Sequence, residues 1–204
     1  AAQEGPHLVR LSRADLSRRI NGDLALRYEA SGLTSFAGLE LVSRFFRRLD
    51  LKRLLRSASA RLPRSDFGAT AMVLLILTLL ITGGRRVRHV AYLQGDPLVK
   101  RVSGLSRIPT LHTVGRWLRA FDGRGVAALL GVNEQLVGAV IERGALRRLT
   151  VDVDGSVVST GLKVQGARRG FNPHRRKVPS YYPITAYEAN TGQVLRVQNR
   201  AGNV

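Results

Sequence analysis

Residues Leu149–Thr160 read LTVDVDGSVVST. Upstream, apolar residues recur at helical spacing. Here they alternate, with Leu149, Val151 and Val153 on one side and Thr150, Asp152 and Asp154 on the other. A period of two is that of a half-buried strand. The switch divides the chain into a helical region, residues 1–147, and a strand-bearing region, 148–204, an α+β arrangement. It also places two carboxylates on one strand face, where like charges disfavour each other unless a cation lies between them. Three readings stay open. The pair is a solvated face matched to nearby arginines, or Asp154-Gly155 is turn chemistry ending the strand, or the carboxylates are oxygen ligands for a hard divalent ion, Mg2+ or Mn2+.

The rest of the composition narrows the setting. Among 204 residues, 33 Lys and Arg face 14 Asp and Glu, a net charge of +19. Such an excess points to an extended polyanion, DNA before a membrane surface. The chain has no cysteine, which excludes disulfides and thiolate metal sites and fits a reducing cytoplasm. It begins with Ala1 rather than Met, so no targeting is read from its start. The apolar run ATAMVLLILTLLIT, Ala69–Thr82, falls short of the roughly 20 residues that cross a bilayer. It is read as a buried core helix, with no membrane partner.

Helix signals punctuate the first region. Thr34-Ser35 is a candidate cap for a helix whose stripe is Leu39, Val42, Phe45, Phe46 and Leu49. A short helix from Leu51 to Ser57 follows, Pro63 breaks the chain, and Ser65 or Asp66 starts the apolar helix. Another helix is expected over Arg86–Leu93. Asp96-Pro97 opens one that Gly104 closes, and Thr110 caps one reaching Phe121. A last helix spans about Val126–Glu142, after interruptions at Gly123 and Gly125. The pair Asp96–Ser103 and Thr110–Phe121 reads either as a helix-turn-helix offering His112, Thr113 and Arg116 to DNA or as ordinary packing with a basic outer face. Its link is longer than the usual three or four residues.

After the first strand comes a glycine-rich basic connection, then strand YYPITAYEA, turn NTGQ and returning strand VLRVQ. Arg168, Arg169, Arg175, Arg176 and Lys177 are candidate phosphate contacts, with Gly166 and Gly170 allowing close backbone approach. The alternative is a solvated loop. Tyr181, Tyr182 and Tyr187 read as packing residues, the alternative being nucleophiles for covalent DNA cleavage, and Trp117 reads as core.

Four stretches, in order, carry a resemblance: DPLVKRVSGLSRIPTLHTVGRWL, LTVDVDGSVV, ARRGFNPHRRKVPSYYP, and YEANTGQVL running into NRAGNV. Together they resemble insertion-sequence transposases of the DDE type. The resemblance implies a helical DNA-binding region followed by the first strands of a ribonuclease-H-like α/β domain. It implies Asp154, followed by small Gly155 and then Ser156, as the first catalytic residue and metal ligand, with Asp152 its neighbour or, in the other register, the ligand itself. It implies Mg2+ or Mn2+ as cofactor, transposon-end and target DNA as partners, a homo-oligomer, and a cytoplasmic, nucleoid-associated setting. The reaction implied is hydrolysis of a DNA phosphodiester, then attack of the freed 3′-hydroxyl on target DNA. The family's second aspartate and its glutamate have no match. After Asp154 the one acidic residue is Glu188, at the expected hairpin turn. The expectation is therefore an N-terminal portion of a transposase, truncated and inactive alone. The alternative is a non-catalytic DNA-binding remnant or regulator.

Overall fold

The computed structural model describes residues 33–144, 148–160 and 164–203. Residues 1–32 of the expected helical region, and the expected boundary at 147/148, lie outside the described residues. The residues from Phe36 onward form one compact unit.

In chain order the helices are α1 (Leu39–Arg48), α2 (Leu51–Ala58), α3 (Ala69–Ile81), α4 (Pro97–Ser103), α5 (Leu111–Arg119) and α6 (Gly123–Arg143). The apolar run forms α3, and Met72, Val73, Leu74, Leu75 and Leu79 are buried there. Each such side chain contributes about 1.5–3 kcal/mol on leaving water. The buried hydroxyl of Thr78 donates to the Leu74 carbonyl at 2.8 Å, so the apolar centre holds no loose polar group at this point. α4 and α2 pack against α3. The indole of Trp117, on α5, is buried and donates to the Pro63 carbonyl at 2.9 Å, tying α5 to the chain ahead of α3.

Several helix ends differ from the sequence reading. α1 starts at Leu39, because Ala37 and Gly38 make a turn in which Leu39 N–H donates to the Phe36 carbonyl at 2.8 Å. Its outer face includes Phe45, which is 57% exposed rather than part of the core stripe. Ser65 and Asp66 precede α3 in a turn, where the Ser65 hydroxyl accepts from Phe67 N–H at 3.2 Å. Val87–Leu93 is a 3-10 helix. α6 begins at Gly123 because Asp122 caps it, accepting from Gly125 N–H at 2.8 Å. Asp96 and Thr110 cap α4 and α5 as their sequence positions indicate.

The strands are β1 (Val151–Gly155), β2 (Val158–Ser159), β3 (Ser180–Tyr181), β4 (Ile184–Glu188) and β5 (Gln193–Gln198). One antiparallel sheet has the order β1-β4-β5, and β2 pairs with β3 in a short second ladder. β2 continues from β1 and β3 leads into β4, so the two ladders form one long hairpin with a break at its middle. Ser156 N–H bridges that break by donating to the Pro183 carbonyl at 3.0 Å. α6 packs on β5, where Asn133 Nδ2 donates to the Val194 carbonyl at 2.9 Å and Glu134 pairs with Arg196 at 3.3 Å. The same helix packs on α2, so it joins the helical layer to the sheet. By length and composition α6 is the one described helix long and apolar enough to cross a membrane.

Candidate catalytic site and nucleic-acid interface

The register of β1 on β4 fixes the surroundings of the two aspartates. Asp152 lies opposite Tyr187, and Asp154 opposite Thr185. Directly opposed residues of an antiparallel pair share a face. Both carboxylates are exposed. The arginine-matched reading is not what the structure shows, because among the described residues neither aspartate forms an ion pair. Asp154 Oδ1 accepts from the N–H of Gly155 at 2.8 Å, a local bond that leaves its second oxygen free. Residues i and i+2 of a strand stand about 6.5–7 Å apart. Two carboxylates at that spacing can converge on one hard cation. They do not complete a two-ion centre, and among the described residues no three His, Cys, Asp or Glu side chains cluster.

The glycine after Asp154 has a packing reason. A Cβ at Gly155 would stand 2.6 Å from the Tyr182 ring, so the aromatic face rests on bare backbone. Tyr182 N–H donates to the Arg200 carbonyl at 2.8 Å, which fixes the residue carrying the ring. The end of β1 is thus clamped where the long hairpin breaks. Asn172, described next, does not stand out in the sequence, and Tyr182 reads there as a packing residue or a nucleophile, not as the ring resting on Gly155. A tyrosine near a glycine twenty-odd positions away gives no periodic signal.

The basic connection is built, not loose, over its described residues. Arg168 exchanges two backbone hydrogen bonds with Ser180, at 3.1 and 2.9 Å. Asn172 is only 3% exposed. Its Nδ2 donates to the Ser159 hydroxyl at 2.8 Å, and its Oδ1 accepts from the backbone N–H groups of His174 and Arg175 at 3.2 and 2.9 Å. This Asx-type turn presents Arg175, Arg176 and Lys177 to solvent, and Lys177 adopts φ +66°. On the other side Gly170 touches Gly202 so closely that a Cβ would sit 1.8 Å from the Gly202 carbonyl oxygen. Arg168 and Arg169 are exposed beside it. Asn172 grips Ser159, five residues beyond Asp154, so loop and carboxylates are joined by at most about 17 Å of strand.

The third group lies elsewhere. His112 and Arg116 are exposed on the outer face of α5, which packs on the Val87–Leu93 segment in the helical layer. Thr113 is half-buried and its hydroxyl shares a 3.1 Å hydrogen bond with that of Thr110 at the helix start. α4 packs on α3 and α1 rather than primarily on α5, and Leu105, Ile108 and Pro109 of the link between them are buried.

Glu188 is a structural carboxylate. It is fully buried at the hairpin turn and accepts from Asn190 N–H at 3.0 Å, from Thr191 N–H and hydroxyl at 2.7 Å each, and from the Asn190 amide. Burial pushes its pKa up, but these four donors outweigh that and hold it below the ordinary 4.5. All of its bonds stay within its own turn.

Residues 18–204 match the family described as transposase DDE domain group 1. The chain belongs to this family, and its function is of the transposase kind. No curated protein and no solved structure matches it.

Proposed function

We propose that the strand β1 carries the first metal-binding carboxylates of a DNA strand-transfer centre and that the Arg168–Lys177 connection holds the DNA beside it. One observation carries the reading: in a chain of net charge +19, two exposed aspartates share a face and pair with no cation among the described residues. Asp154, with Asp152, would hold Mg2+ or Mn2+. Such an ion supplies positive charge at the scissile phosphate and makes an attacking oxygen more acidic. The chain's own residues do the rest of what can be derived. Arg168, Arg169, Arg175, Arg176 and Lys177 bind backbone phosphates, and Tyr182 on Gly155 holds the end of β1 in place. His112 and Arg116, with Thr113, supply a second contact to transposon-end DNA from the helical layer.

The order β1-β4-β5 with antiparallel pairing supports a division into a helical DNA-binding region and the opening strands of a ribonuclease-H-like domain. The remaining carboxylates of a two-ion centre would come from outside the described residues, and with them homo-oligomeric assembly and action on chromosomal DNA in the cytoplasm. The lack of a third ligand beside Asp152 and Asp154 among the described residues favours one other reading, a non-catalytic DNA-binding regulator using the same basic loop.

DNA binding by fluorescence anisotropy tests the assignment of roles. Alanine at all five loop cations should weaken binding, whereas Asp154→Ala should leave it unchanged or slightly tighter, having removed a negative charge. A five-alanine variant that binds as well as the parent sinks the proposal. Strand transfer that survives Asp154→Ala in an active transposase containing this chain removes the catalytic role proposed for Asp154.

A further inference from the structure

Phe171 is the most exposed large hydrophobic side chain among the described residues, 82% accessible. An isolated exposed aromatic is ordinary. Its setting here is not. The backbone is fixed immediately on both sides, by Gly170 against Gly202 and by buried Asn172 bonded to Ser159. The backbone that carries the ring is therefore held in place, and the ring itself points into solvent. It stands among Arg168, Arg169, Arg175, Arg176 and Lys177, and no acidic residue occurs between Asp154 and Glu188. An exposed aromatic ring on an anchored backbone inside a cationic loop is an arrangement on which unpaired bases stack while the phosphates on either side meet arginines.

We infer that Phe171 is a stacking platform for a base that is unpaired or drawn out of the duplex, held next to the strand bearing Asp154. The inference rests on the DNA-binding reading of the loop and adds the form of DNA it takes. A paired duplex offers only base edges to such a ring, whereas a single-stranded or extruded base offers its face.

Binding of the whole chain to two DNA probes tests it: a fully paired duplex and the same duplex with a short unpaired segment carrying 2-aminopurine. The parent should prefer the unpaired probe and quench its fluorescence. Phe171→Ala should lose roughly tenfold on that probe and little on the paired one, a size set by base–aromatic stacking. Phe171→Trp should restore both preference and quenching. Equal affinity of Phe171→Ala and parent for the unpaired probe overturns the inference while leaving the loop a phosphate grip. So does an equal loss on both probes, or a shift in the chain's association state with no change in DNA affinity, which would make the ring a protein contact. If the parent binds neither probe, the DNA-binding reading falls as well.

Discussion

Single residues decide how the end of β1 is held. The Tyr182 ring lies where any side chain at Gly155 would go, 2.6 Å from an added Cβ. Gly155→Ala should therefore destabilise the protein by about 1–3 kcal/mol, the usual cost of overpacking, and lower Tm by several degrees for a chain of this size. Removing the ring as well, in Gly155→Ala/Tyr182→Ala, should cost less than the two single changes added together, because they share one contact. Thermal unfolding of the four proteins checks this, and strict additivity would show that the ring and the glycine are independent. Glu188 makes a second prediction at this scale. Its folded pKa is lowered, so its stabilising effect is present above 4.5 and lost as pH falls through the lower folded value. Wild type should lose stability on acidification more steeply than Glu188→Gln, which should be less stable at neutral pH and flatter below. Denaturant titrations at neutral and acidic pH would show the two slopes; parallel curves would remove Glu188 from the acid response.

Among elements, the basic connection shows what a sequence displays and what it hides. Its charge is plain in ARRGFNPHRRK, and that density supports phosphate contact and a solvated loop equally well. What the structure adds is an ordered turn held by Asn172, a polar residue in a polar stretch, whose burial goes with its bond to Ser159 across the hairpin. That contact is long-range and aperiodic, so nothing local announces it. Asn172→Ala should cost about 1–3 kcal/mol through its lost bonds and should expose the loop to trypsin at Arg175, Arg176 and Lys177. Limited proteolysis would reveal faster cutting there; unchanged cutting would mean the turn stands without its cap. The helices were more legible, since α3, α4 and α5 follow from apolar runs and caps at Asp96 and Thr110. Misjudged ends arose where a local turn intervened, at Ala37-Gly38 and Ser65-Asp66, or where a cap outweighed poor helix formers, as Asp122 does for Gly123 and Gly125.

At the scale of the molecule, a helical layer and an antiparallel sheet are joined through α6, the net charge is +19, and the sequence holds no acidic residue between Asp154 and Glu188. DNA affinity should consequently fall steeply with salt. Five loop contacts released at about 0.9 counterions each should make the logarithmic salt slope of the five-alanine variant shallower by up to about 4.5. Period and charge alone show the switch from helix to strand and the pairing of two aspartates. They leave open whether arginine matches those aspartates, which depends on side chains brought near by folding. The structure shows them without a cationic partner among the described residues. The most direct measurement is therefore electron paramagnetic resonance of Mn2+ titrated into the protein with DNA present. Wild type should bind the ion with a signal distinct from free Mn2+ and from DNA alone, and Asp154→Asn should lose it while keeping its fold and its DNA. An unchanged signal in Asp152→Asn/Asp154→Asn would contradict the account.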